Sequence, residues 1–201
     1  AANILGANTL TLTAASDTFG GIIGGLGGLA INGGTETLTG VNDYLGATTI
    51  APGAALLLSG GGGITRSFQV MDNGTFDISA ATSTATIRSL SGSGAVALGG
   101  NTLFIIGAGG TFGGVIAGSG GLTIGALLGG PIEFAPLIPI GGETLTGVNT
   151  YTGVTTIQPE ARLALAGNGS IAASSQLVDN GTFDISAATA GATINSLAGD
   201  G

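Results

Sequence analysis

Asp72 and Asp77 bracket the stretch Asn73-Gly74-Thr75-Phe76, and the arrangement returns as Asp179 and Asp184 around Asn180-Gly181-Thr182-Phe183. Paired carboxylates are the groups here that could do chemistry. Hydrolysis of a glycosidic bond uses two of them, provided that both converge on one bond and that their surroundings separate their pKa values. The local pattern argues against convergence. Asp77 lies between Phe76 and Ile78, so a strand turns it away from them toward water. Asp72 precedes an Asn-Gly corner and reads as a turn residue. The chain has no His and no Lys to assist, and an active site seldom occurs twice in register. No catalytic residue is assigned.

Metal and cofactor sites are not assigned either. There is no Cys to supply thiolate ligands. The calcium-binding nonapeptide Gly-Gly-x-Gly-x-Asp is missing, and Asp200 stands in an isolated Gly-Asp-Gly. The run Gly60-Gly61-Gly62-Gly63 is not followed by Gly-Lys-Ser/Thr, so it reads as a corner and not as a phosphate loop.

Two sets of residues are candidates for interaction. Tyr44 and Tyr151 each follow an Asn by two positions (Asn42, Asn149). The Asn side chains suit corners, where they would satisfy backbone groups between strands with the ring packed over them; an exposed ring would instead suit the face of a sugar. The second set lies in the apolar stretch at 125–140, which contains Pro131, Ile132, Phe134, Leu137 and Ile138 and three of the five prolines of the chain. Proline cannot donate to a central ladder, so this segment should leave the sheets as a loop. An apolar loop either covers its own coil or meets a partner.

All these residues sit in a sequence written twice. Glu36-Thr37-Leu38-Thr39-Gly40-Val41-Asn42-Asp43-Tyr44 returns 107 residues later as Glu143-Thr144-Leu145-Thr146-Gly147-Val148-Asn149-Thr150-Tyr151. Earlier in each copy the offset is 93, as where Thr18-Phe19-Gly20-Gly21-Ile22-Ile23 becomes Thr111-Phe112-Gly113-Gly114-Val115-Ile116. Two copies result, 1–93 and 94–201, the second carrying the insertion of 14 residues. The chain does not begin with Met and stops where a third copy would start, as expected of a piece of a longer protein.

A finer period runs inside each copy. Leu38, Leu58, Ile78 and Leu98 are spaced by 20, as are Leu56, Phe76 and Val96, and Ile50, Val70 and Leu90. Within a run the residues alternate, as in Thr75-Phe76-Asp77-Ile78-Ser79, and Asn-Gly pairs suit corners of positive φ. Asn-Gly also reads as a hairpin turn, which makes an antiparallel sandwich the rival fold. Three series at one spacing favour stacking. The fold expected is all-β, a parallel β-helix (β-solenoid) with about 20 residues per coil and roughly ten coils.

Composition narrows the partners. Net charge is −8, and the cations are Arg66, Arg88 and Arg162, which argues against nucleic acid and anionic membrane surfaces. Residues 89–132 are uncharged, but Gly interrupts every candidate span before about 18 apolar residues accumulate. With two Tyr and no Trp there is nothing to build the aromatic girdles of a membrane barrel.

The stretch Thr-Leu-Thr-Gly-Val-Asn-Thr-Tyr-Thr-Gly-Val-Thr-Thr-Ile at 144–157, preceded by Phe112-Gly113-Gly114-Val115-Ile116-Ala117-Gly118-Ser119-Gly120-Gly121-Leu122, resembles the passenger-associated strand repeat of bacterial autotransporters. Gly-Thr-Phe-Asp-Ile-Ser followed by Ser-Leu-Ala-Gly is similar to sequence between such repeats. The resemblance covers nearly the whole chain; the insertion departs from it. It implies a right-handed parallel β-helix at, or released from, the outer surface of a Gram-negative bacterium. The expected role is a non-catalytic stalk or fibre segment with an adhesive function. Its partners would be further copies end to end, in the same chain or a homo-oligomer, and host or matrix glycan or protein. A self-assembling fibre subunit is the alternative, and a polysaccharide-degrading β-helix enzyme a third.

Overall fold

The computed structural model describes residues 2–107, 109–126 and 142–201. Among these there are 23 strands and no helix, and every strand pair is parallel. Among the described residues no helix is long and apolar enough to cross a membrane. The strands fall on three faces that the chain visits in turn. The first is a sheet of nine strands, from Leu10–Leu12 to Thr182–Ala188; the second has six, from Thr18–Phe19 to Val115–Gly118. The third opens with Ala2–Ile4 against Ile22–Gly24 and resumes as six strands from Ala85–Ile87 to Leu197–Ala198. The described residues form a β-solenoid of nine coils, not ten: Thr111–Phe112 and Glu143–Leu145 are direct neighbours on the nine-stranded face although residues 113–142 lie between them in the chain.

Alternation sends one side chain in two inward, and stacking turns those into columns. On the second face Leu56, Phe76, Val96 and Ile116 lie directly above one another, beside Leu38 and Leu58, and all are buried. The Leu56 series is therefore a real column, and of the Leu38 series Leu38 pairs with Leu58 while Ile78 and Leu98 are buried as well. The third series is not a column. Val70 stacks on Leu90 as expected, but beneath it lies Thr48, and Ile50 stacks on Asp72. The cause is a longer corner. Ala51-Pro52-Gly53-Ala54 leads from the first face to the second where the next coil uses Asn73-Gly74, and the two extra residues shift the register. The same happens in the second copy, where Leu177 stacks on Thr155 and Asp179 on Ile157. That corner needs a residue at positive φ after its proline: Gly53 supplies it in one copy, and Glu160, at φ 65, in the other.

The two copies occupy different faces. Thr75–Ala81 is on the second face, while its repeat Thr182–Ala188 is on the first; Thr48–Ile50 is on the first and its repeat Thr155–Ile157 on the third. At about 20 residues a coil, an offset of 93 is about four and two-thirds coils, so each copy begins one face round from the last. The ladder runs on across residues 125–142: Leu122–Ile124 stacks on the third face, and Glu143–Leu145 rejoins the first in register with Thr111–Phe112.

Phe183 and Ile185 belong to the same pattern, but they lie in the last coil with nothing stacked above. Phe183 is half-buried and Ile185 exposed, not fully internal as the repeat predicts. Phe76, with neighbours on both sides, decides the core. Phe76→Asp should unfold the adjoining coils, since a buried unpaired charge costs several kcal/mol. Phe76→Leu keeps an apolar occupant and should cost less than about 2 kcal/mol. Thermal midpoints of the two variants, the first falling far below the second, check the column.

Candidate functional site

The structure separates the paired carboxylates. Asp77 stands on the outer surface and accepts a hydrogen bond from the Ser79 amide at 2.7 Å. Asp72 points inward at the end of Val70–Asp72, between Ile50 and Gly92. Its Oδ1 accepts from the Gly74 amide at 3.0 Å, which is the turn bond expected of an Asp before Asn-Gly. Its burial was not expected. Oδ2 has no partner among the described residues, and burial pushes the carboxyl up to about 6 against the Gly74 and Phe76 amides. Asp179 makes the corresponding bond to Gly181. Asp184 accepts from Ser186 and pairs with Arg162, and these contacts hold its carboxyl below the usual range. One member of each pair therefore turns inward or toward its corner and the other lies on an outer face, so they do not converge on one bond.

Asn42 and Asn149 occupy corners and bridge coils. Oδ1 of Asn42 accepts from the Ile23 amide one coil below, at 2.9 Å, while Nδ2 donates to the carbonyls of Gly40 and, one coil above, Gly63. Asn149 repeats this with Ile116, Gly147 and Ser170. Each amide thus satisfies backbone groups of three successive coils, as the repeat suggests.

Tyr44 and Tyr151 correct the sugar-stacking expectation. Both rings are buried inside the solenoid and present no face to a ligand. The phenol finds its partner inside: Tyr44 OH lies 2.7 Å from Thr48 Oγ1, which donates to Ser67 Oγ at 2.9 Å, and Ser67 donates on to the Gly46 carbonyl. Tyr151, Thr155, Ser174 and Gly153 form the same chain. A buried phenol needs such a partner, and burial raises its pKa despite the bond to Thr. The signal in the sequence was the Tyr-x-x-x-Thr spacing with Ser 19 residues later.

Glu36 and Glu143 were missed altogether, because alternation with Thr makes them look solvated. Both stack inward, Glu36 under Leu56 and Glu143 under Leu163. Glu36 faces a cleft lined by Thr11, Thr13, Ser16 and Asp17; burial and then the Asp17 charge raise its pKa. Glu143 is completely enclosed over Gly110, where any Cβ would collide with its carboxyl oxygens. Neither oxygen completes a hydrogen bond among the described residues. Burial pushes this carboxyl up to about 8, with the nearby Leu90 amide offsetting part of the shift.

Among the described residues no group of three or more His, Cys, Asp or Glu could hold a metal ion. Pro131, Ile132, Phe134, Leu137 and Ile138 lie outside the described residues. No family model, no characterised protein and no solved structure matches this chain.

Glu143 and Asp72 carry the largest upward shifts, and they make stability depend on pH. Between its ordinary 4.5 and about 8, Glu143 is protonated in the folded chain and ionised in the unfolded one. The folded state then binds more protons, so stability is greatest below the unfolded pKa and is lost as pH rises through the folded one. Asp72 acts the same way between 3.8 and about 6. The thermal midpoint should fall from pH 5 to pH 8 and then level off. Glu143→Gln should flatten the decline above pH 6, and Asp72→Asn the part below it. A midpoint that climbs with pH over this range would contradict the buried placement.

Proposed function

We propose that this chain is a structural segment of an extracellular stalk or fibre, a non-catalytic β-solenoid displayed at or released from a Gram-negative cell surface, with adhesion as its task. The observation that carries the reading is where the interior polar groups are used. Asn42, Asn149 and the two Tyr-Thr-Ser chains join one coil to the next, and all of them are buried. Nine coils stacked at about 4.8 Å give a rod of roughly 40 Å, and repeats that stack on their neighbours add length without a globular core.

The likeness of residues 112–122 and 144–157 to passenger repeats supports the location. The two copies already join in one ladder, where Phe112 stacks on Gly92 and Leu145 on Phe112. Further copies, in the same chain or a second molecule, would use the same junction, and host or matrix glycan or protein would be met on the outer faces.

The test places the chain between a signal peptide and an outer-membrane translocator barrel in a Gram-negative host. Antibody should label intact cells, and those cells should adhere to matrix-coated surfaces more than cells carrying the barrel alone. Retention and degradation in the periplasm would count against the location. Depolymerisation of a polysaccharide panel by the purified chain would overturn the non-catalytic reading.

A further inference from the structure

The first four coils carry a block of exposed apolar side chains on the third face. Ile22 and Val41 lie on the face itself, and Leu26, Leu45 and Phe68, exposed by 68%, 36% and 56%, line the corner that leads to the first face. Backbone bonds fix those three at one corner of successive coils: Leu26 N–H donates to the Gly6 carbonyl, Leu45 N–H to Gly25 and Phe68 N–H to Leu45. The second copy is an internal control. Ser119, Thr152 and Ser175 stand at the equivalent positions and make the same bonds, to Gly99, Gly118 and Thr152. The corner therefore folds as well with hydroxyl side chains, and the apolar ones are not required by the solenoid.

Two charges distinguish the copies at the same place. Asp43 and Arg66 are exposed on adjacent coils within the block, where the second copy has Thr150 and Ala173. Among the described residues neither joins an ion pair. The Asp43 carboxylate lies over Gly24, on the side away from Arg66.

We propose that this block docks a second copy of the chain, laid antiparallel across it. Orientation follows from the charges. A parallel two-fold would set Asp43 against Asp43 and Arg66 against Arg66. A two-fold running across the face between these two coils sets Asp43 of each copy opposite Arg66 of the other, and Leu45 opposite Phe68. Opposite charges in facing positions fix register and suppress wrong arrangements. With a net charge of −8 and three Arg in all, most other approaches bring acid against acid. The block is about 15 Å high at the coil spacing and, at a similar width, covers on the order of 200 Å², below the roughly 800 Å² per partner of stable complexes, so pairing is reversible. The proposal does not depend on the stalk reading, and it concerns a lateral surface distinct from end-to-end stacking.

Sedimentation equilibrium of the whole chain over a hundredfold concentration range tests it. The wild type should shift reversibly from monomer to dimer. The triple variant Leu26→Ser, Leu45→Thr, Phe68→Ser, which copies the residues of the second repeat, should stay monomeric with an unchanged circular dichroism spectrum and thermal midpoint. Asp43→Arg and Arg66→Asp should each weaken pairing at least tenfold, and the two together should restore it. A wild type that remains monomeric, a triple variant that still dimerises, or a double charge variant that does not recover would each overturn the proposal.

Discussion

A parallel strand pair has no hairpin to hold it. Each strand meets its neighbour after the chain has travelled once round the solenoid, so every coil must close its perimeter in register with the one beneath. Backbone bonds such as Leu29 N–H to the Ala47 carbonyl and Val70 N–H to Ser89 carry that register from coil to coil. Because side chains alternate with a period of two, a slip of one residue would exchange the inner and outer sets. The apolar columns built on Leu56, Phe76 and Val96 make such a slip costly.

The corners are where register is set, and the buried polar groups sit there for that reason. Asn42 and Asn149 each tie three coils, and the Tyr-Thr-Ser chains tie two. Unlike a leucine, which fits any column, a side-chain amide is satisfied at one register and leaves unpaired donors at any other. Glu143 and Asp72 are the costly members of this interior. They fill the space left by Gly110 and Gly94, where an added Cβ would meet a carboxyl oxygen, and burial keeps them protonated at pH values where a solvated carboxyl ionises.

Much of the fold was legible because a solenoid writes its coil length into the sequence. The 20-residue spacing of Leu38, Leu58, Ile78 and Leu98 and the alternation around Phe76 required no knowledge of the corners. What depended on the corners was hidden. The two residues added by Pro52-Gly53 and Pro159-Glu160 moved Val70 and Leu177 onto threonines, and no periodicity in the apolar residues reveals that shift. The turn by one face between copies arises because 93 is not a whole number of coils, a consequence visible once the coil length is known. Among the candidate residues, Asn42 and Asn149 were readable from their corner context. For Tyr44 and Tyr151 the corner context left a packed and an exposed ring both open, since exposure of a ring depends on which way the chain bends after the Asn, and Glu143 was hidden because its charge argued for solvent.

The register between the third and fourth coils is the direct test, since it departs from the simple period. The chain has no cysteine of its own, so pairs can be introduced on the outer surface of the nine-stranded face without competition. Thr49 stacks on Met71 in the structure, whereas a uniform 20-residue coil would place it on Gln69. Stacked positions have Cα atoms about 4.8 Å apart, inside the range of about 4.4–6.8 Å that a disulfide spans. Under mild oxidation Thr49→Cys with Met71→Cys should crosslink rapidly, and Thr49→Cys with Gln69→Cys slowly or not at all. Efficient crosslinking of the second pair with none in the first would contradict the corner-set register on which this account rests.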